Sequence, residues 1–239
     1  MWSIYKKEIN QFFSNLTGYV AIILFLLISG IFLFVLPESD ILEYGYANLD
    51  TFFAIAPWIL LFLVPAITMR TLSDEFKAGT FEILKTKPLT TWQIVSGKYI
   101  SVLVVLLFVI IPTFTYLLTI DSLSITSIDS GGLTGSYIGL FLLGSVFAAI
   151  SLCCSSFTAN SVVAFLLSAF TCIIVYYGFA AISRLPVFQG SADYYIEMLG
   201  IDFHYRSISR GVIDTRDLVY FASIIFLSLI ITVKNLDKK

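Results

Sequence analysis

The chain has 239 residues, 58% of them hydrophobic and only 13% charged, with a formal charge of −2 and a mean hydropathy of +0.93. A water-soluble domain of this length needs far more charge and polarity to cover its surface, which excludes a soluble enzyme or binding module. The 22 Phe and 13 Tyr suit helices that face lipid and carry aromatic residues at the interfaces.

At the amino terminus, MWSIYKKEINQFFSNL places Trp2, Tyr5, Ile9, Phe12, Phe13 and Leu16 along one helical face and Lys6, Lys7, Glu8 and Asn10 on the other. The pattern predicts an amphipathic interfacial helix on the inner leaflet, acting as a plain anchor or as a brace for the cytoplasmic face. A transmembrane helix needs about 20 apolar residues to cross about 30 Å of hydrocarbon. Six runs qualify: Tyr19–Leu36, Phe52–Met69, Tyr99–Ile120, Tyr137–Cys154, Val162–Ser183 and Leu218–Val233. None contains Asp, Glu, Lys, Arg or His, and each is continuously apolar rather than alternating, so helices are expected and barrel strands are not. The predicted fold class is therefore all-α, an integral membrane bundle of six transmembrane helices forming one domain over 1–239.

The first run follows two lysines, but it exceeds a signal-peptide core, and Pro-Glu-Ser-Asp follows it without a small-x-small pattern. An uncleaved anchor is expected, followed by the acidic loop PESDILEYGYANLD. Pro57 and Pro65 in span two and Pro112 in span three each remove a backbone hydrogen bond, predicting kinks that serve as hinges or as packing irregularities.

Between spans two and three runs DEFKAGTFEILKTKPLTTWQIVSGKY, Asp74–Tyr99, the one long polar stretch. Gly79 is expected to end a helix continuing from span two. Thr80 is expected to cap a second short helix, with Glu82 in its first turn and Pro88 breaking it. Thr90 and Gln93 have the spacing of a capping box that starts a helix through Trp92, Ile94 and Val95. The outcome is a rigid polar elbow bearing Phe81, Ile83, Leu84, Trp92 and Ile94, suited to a partner's groove or to lipid headgroups.

Further along, the loop DSLSITSIDSGGLTG precedes span four, where Gly135 and Gly139 form a GxxxG and Ser145 and Ala149 a second small pair, predicting close helix contact within the bundle. The turn SSFTAN leads to span five. Arg184–Asp217 mixes apolar and charged residues too sparsely to cross a bilayer, so a pair of short re-entrant or interfacial helices is expected, with a solvent-exposed loop as the alternative. Cys153, Cys154 and Cys172 all lie in spans and read as buried thiols, not as disulfides or a metal site.

Basic residues orient the chain. With the amino terminus inside, ten Lys and Arg fall on the cytoplasmic side against four outside, and the two faces carry +5 and −7. Both termini are then cytoplasmic. Spans without ionisable groups disfavour a transporter driven by protons or sodium. The single histidine, His204, cannot assemble a His-Glu-x-x-His site or a serine triad. Ser96-Gly97-Lys98 lacks the earlier glycine of a phosphate loop, since Trp92 stands there, and Ser130-Gly131-Gly132 lies in a loop assigned outside. No ATP site or other cofactor is expected in the chain itself.

The motif Glu75-x3-Gly79-Thr80-x-Glu82-x-Leu84-x3-Pro88, with Gly97-Lys98 heading span three, resembles the signature of type-2 ABC transporter permeases. The six-span plan, the amphipathic first helix and the long segment before the last span resemble that family too. The resemblance implies that the elbow holds a cytoplasmic coupling helix docking on a separate ATPase, which carries ATP and Mg. Its docking residues would be Glu75, Gly79, Thr80, Phe81, Glu82, Ile83, Leu84 and Pro88, continuing through Thr91, Trp92, Ile94 and Val95. Within the family, HYRSISRGVIDTRDLVYF and LSLIITVKNLDKK are similar to the gliding-motility-associated GldF permeases. That narrower resemblance implies a GldA-like ATPase and a GldG-like membrane partner with a large extracytoplasmic domain, in contact with His204, Tyr205, Arg206 and Arg210. It also implies a homodimer or heterodimer of permeases in the bacterial inner membrane, with lipid around it and no nucleic-acid partner. The alternative is a non-transporting anchor or mechanical transducer with the same elbow.

Overall fold

The computed structural model describes residues 2–14, 16–36, 49–123, 130–186, 190, 193–211 and 214–238, and every regular element among them is helical. Most of the acidic loop after span one, and residues 124–129 before span four, lie outside the described residues. Helices α1 (Trp2–Ser14) and α2 (Leu16–Phe34) meet at a bend of 64°. Span two is α3 (Asp50–Thr68), extended by α4 (Arg70–Lys77). The short α5 (Thr80–Lys85) follows, then α6 (Thr91–Ile110), a 3₁₀ turn at Ile111–Thr113 and α7 (Phe114–Leu123). Helix α8 (Ser130–Phe157) is span four. Span five is α9 (Ser161–Ile173), a π-helix at Ile174–Gly178 and α10 (Phe179–Ser183). Two short helices, α11 (Asp193–Glu197) and α12 (Ile201–Ile208), precede α13 (Thr215–Asp237). Among the described residues, five units are long and apolar enough to cross a membrane, namely Asp50–Lys77, Thr91–Thr119, Gly131–Phe157, Ser161–Ser183 and Thr215–Asp237, and counting the bent α1–α2 pair as one span brings the number to six.

Helix α8 is the hub, packed by α3, α4, α6, α9, α12 and α13. Lipid tails are as apolar as leucine, so close packing and internal hydrogen bonds hold such a bundle rather than removal of apolar area from water. Small residues on α8 permit the approach. A Cβ on Gly135 would lie 2.8 Å from the Gly211 Cα, and one on Gly139 would lie 2.8 Å from the Ile208 Cγ2. The GxxxG therefore seats α12 and residues 209–211 of the expected outer segment (184–217) within the bundle, where Ser136 Oγ also donates to the Ser209 carbonyl at 2.7 Å.

Backbone groups left without a partner in their own helix find partners on other elements. Pro57 cannot donate to the carbonyl of Phe53, and the Tyr205 hydroxyl donates to that oxygen instead, at 2.8 Å. At the α3–α4 junction, Ser155 Oγ of α8 donates to the Met69 carbonyl at 3.0 Å and accepts from the Ser73 N–H at 3.2 Å. Span two thus passes into its extension with the break stapled to the central helix. Pro112 sits in the 3₁₀ turn within span three.

Helix α1 departs from its expected two-faced pattern. Its buried residues are Ile4 and Glu8, one turn apart, so a carboxylate assigned to the polar face points into the protein.

Candidate functional site

The elbow joining spans two and three is built from three local signals. Gly79 adopts φ +67°, the left-handed conformation that ends α4 and turns the chain into α5. Thr80 is the first residue of α5 rather than its cap, which is Gly79, and its hydroxyl donates back to the Glu75 carbonyl at 3.4 Å. The Thr90–Gln93 capping box forms in full, with Gln93 N–H to Thr90 Oγ1 at 3.3 Å and Thr90 N–H to Gln93 Oε1 at 3.2 Å. From that cap α6 runs unbroken into the membrane, so the second arm of the elbow is a rigid extension of span three. Thr91 Oγ1 donates to Asp237 Oδ1 at 2.6 Å at the end of span six, and the Trp92 ring meets Phe226 in the middle of that span at 6.1 Å, tying the same arm to span six.

At its root the elbow is held by charge. Lys98 is fully buried, and its Nζ lies 2.8 Å from Glu8 Oε1, 2.9 Å from Glu75 Oε1 and 2.7 Å from the Thr71 carbonyl. Three acceptors match the three N–H donors of an ammonium. Lys7 Nζ adds a contact of 2.9 Å to the same Glu75 oxygen. One network therefore joins the amphipathic α1, the extension of span two and the head of span three. Burial tends to lower the pKa of Lys7, but the hydrogen bond and charge of Glu75, with the charge of Glu8, outweigh it and hold that ammonium above the usual lysine value. Glu75 Oε2 is buried with no hydrogen-bond partner among the described residues, a state that costs about 1–3 kcal/mol.

The predicted docking residues divide by exposure. Gly79, Thr80, Glu82, Ile83, Pro88 and Trp92 are exposed, while Leu84 and Thr91 are half-buried. Ile83 is 62% exposed and Trp92 41%. Phe81, Ile94 and Val95 are buried in the chain's own core, which corrects the expectation that they face a partner. Phe81 folds back across the Gly79 turn onto Phe76, with ring centroids 5.0 Å apart, and Ile94 and Val95 lie on the inward face of α6. Glu75 is likewise turned into the ion network rather than outward.

The family model for ABC-2 family transporter proteins matches residues 2–233, from α1 through most of α13. The chain belongs to the ABC-2 family transporter proteins. Curated proteins give no match. Membership makes this chain the membrane permease of an ABC system and implies an ABC ATPase as partner.

On the face opposite the elbow, the ABC-2 permease anchors its outer segment firmly. His204 and Tyr205 are buried, so the expectation that they meet an extracytoplasmic partner is corrected for both, whereas Arg206 and Arg210 are exposed. His204 Nδ1 lies 2.6 Å from Asp217 Oδ1 and its Nε2 lies 2.9 Å from the Met198 carbonyl, while its ring stacks on Tyr220 at 3.8 Å. Arg206 pairs with Asp202 one turn earlier and with Glu197 at 3.8 Å. A recess of about 530 Å³ opens here between Asp50 and Trp58 of α3, Tyr176 and Tyr177 of the π-helix, and Arg206 and Arg210 of the outer segment. The Trp58 ring is 5.7 Å from each of the two tyrosines. The π-helix turns both tyrosines toward span two, a local feature for which the apolar run carries no signal. The sequence carries no signal for the Lys98 network, because a lysine heading an apolar run reads equally as a side chain that snorkels to the headgroups.

Proposed function

We propose that this permease works in the bacterial inner membrane with both termini in the cytoplasm, and that its elbow is the coupling surface gripped by a separate, GldA-like ATPase. The observation that carries this is the exposure of Ile83 and Trp92 on an elbow whose arms continue rigidly into spans two and three. Large apolar groups at the tip of a fixed support suit insertion into a partner's groove. Docking then involves Gly79, Thr80, Glu82, Ile83, Leu84, Pro88, Thr91 and Trp92. ATP-driven closure of the ATPase pair favours one elbow position over another, and the two spans respond by tilting as rigid bodies. Two copies of the chain, or one with a related permease, flank the pathway and match the two halves of the ATPase. The narrower resemblance to gliding-motility GldF permeases adds a GldG-like partner on the outer side, with Arg206 and Arg210 as its exposed contacts.

A second use of the same coupling, mechanical transduction to that partner without a transported substrate, is favoured by the outer segment's attachments. Tyr205 to Phe53, His204 to Asp217 and Ser136 to Ser209 bond it to three different spans. A rigid grip of that kind moves with the bundle.

Trp92→Asp and Glu82→Lys are expected to reduce co-purification of the ATPase by about tenfold, the equivalent of about 1.4 kcal/mol, while membrane insertion is unchanged. Undiminished ATPase capture by both variants would defeat the docking assignment.

A further inference from the structure

The recess of about 530 Å³ between span two and the outer segment falls in the size range of small-ligand clefts. Asp50, Ala54 and Trp58 line it at intervals of four residues, which puts them on one face of α3. Eight residues of helix separate Asp50 from Trp58, about 12 Å, and Ala54 between them has only a methyl group to fill that depth. Trp58 is 42% exposed. Its ring neighbours Tyr176 and Tyr177 meet it at interplanar angles of 88° and 56°, so neither stacks flat on the indole. The rest of the lining is charged. Asp202 is buried and holds Arg206, and Glu197 reaches the same guanidinium at 3.8 Å. Arg210 is exposed and forms no ion pair among the described residues.

We propose that this recess binds a neutral sugar ring, a pyranose of a glycan chain or of a glycolipid headgroup. The face of an indole is negative and attracts the polarised C–H groups on the flat side of a pyranose. The hydroxyls around the ring both donate and accept, so they donate to Asp50 and accept from Arg206 and Arg210, while Asp202 fixes Arg206 in place. Charge sets the discrimination. Arg206 already faces Asp202 and Glu197, and Arg210 and Asp50 add one charge of each sign. An anion therefore meets carboxylates and an ammonium meets guanidiniums, whereas a hydroxyl uses both. An open-chain polyol has the hydroxyls but no rigid apolar face for Trp58. Arg206 and Arg210 also border a second recess, of about 420 Å³, with Glu197 and Phe203, which leaves them a separate surface for a protein partner. The assignment rests on the recess and is independent of ATPase docking.

The test uses the full chain in lipid nanodiscs, because sugar-based detergents would compete. Trp2→Phe with Trp92→Phe leaves Trp58 as the single tryptophan, and its emission reports the recess. Cellotriose and maltotriose are expected to shift that emission saturably, trigalacturonate to bind about tenfold more weakly, and sorbitol and choline to leave it unchanged. Ala54→Phe, which fills the middle of the recess, should abolish the response, and Arg210→Gln should weaken it several-fold. Both positions are exposed, so ligand-free melting curves like that of the unaltered chain verify folding. Discs that contain diglucosyl diacylglycerol separate the two sources. Displacement of the trisaccharide by that lipid assigns the ring to a glycolipid, and an undiminished titration assigns it to a free glycan. No saturable response to either trisaccharide or to the glycolipid, an equal or stronger one to trigalacturonate or sorbitol, or one that survives Ala54→Phe overturns the proposal.

Discussion

Replacing Lys98 with Met removes the one donor shared by Glu8, Glu75 and the Thr71 carbonyl, and leaves two carboxylates facing each other in the interior. Breaking a buried pair from one side costs about 3–5 kcal/mol, whereas neutralising all partners together is far milder. Lys98→Met should therefore lower the melting temperature in detergent strongly, and the triple change Lys98→Met, Glu8→Gln, Glu75→Gln should recover most of the loss. A triple variant as unstable as the single one would deny the network its role. The Lys7 ammonium has its pKa raised, so its contribution is complete below the unfolded-state value of 10.5 and is lost only as pH rises through the higher folded value. Melting temperature should accordingly show no loss from this contact between neutral pH and pH 10. Tyr205→Phe removes the donor to the Phe53 carbonyl and should cost about 1 kcal/mol, read as a shift in thermal unfolding.

Among the elements, the elbow depends most on Gly79. Open space surrounds the position of its missing Cβ, so the penalty for Gly79→Ala is conformational alone, about 1–2 kcal/mol. Asn, which tolerates the left-handed region, should cost less, and a circular-dichroism melt distinguishes the two. Gly211 is the contrasting case. It too has positive φ, but its Cβ would stand 2.6 Å from the Gly132 Cα, so both Ala and Asn should loosen the outer segment and raise its hydrogen exchange. Much at this scale was legible beforehand. Uninterrupted apolar runs mark the spans, Gly79 marks the turn, and Thr90 with Gln93 marks the start of α6, because each signal is local and carries its own mechanism. Which way a short amphipathic helix faces is not local. Phe81, Ile94, His204 and Tyr205 read as partner-facing in the sequence because the surfaces that cover them come from elsewhere in the chain. The pairing of residues 8, 75 and 98 emerges only once three separate elements meet. The π-helix answers to packing against Trp58 and Phe147 and leaves no trace in composition.

Across the whole molecule, the central span four is 78% buried over its apolar core, while spans five and six are only 28% buried. Leu166 and Phe170 on span five, and Leu227 on span six, are exposed and free to face lipid or a neighbouring subunit. A well-buried hub with two peripheral spans suits movement of helices about a fixed centre. The elbow is bonded to spans two, three and six, so force applied there reaches half the bundle at once. The most direct measurement of whether such force arrives from an ATPase is a photo-crosslinking amino acid at Ile83, activated in intact cells that express the complete complex. The account predicts a covalent adduct to an ABC ATPase. An adduct confined to lipid, or to a protein on the outer side of the membrane, would contradict it.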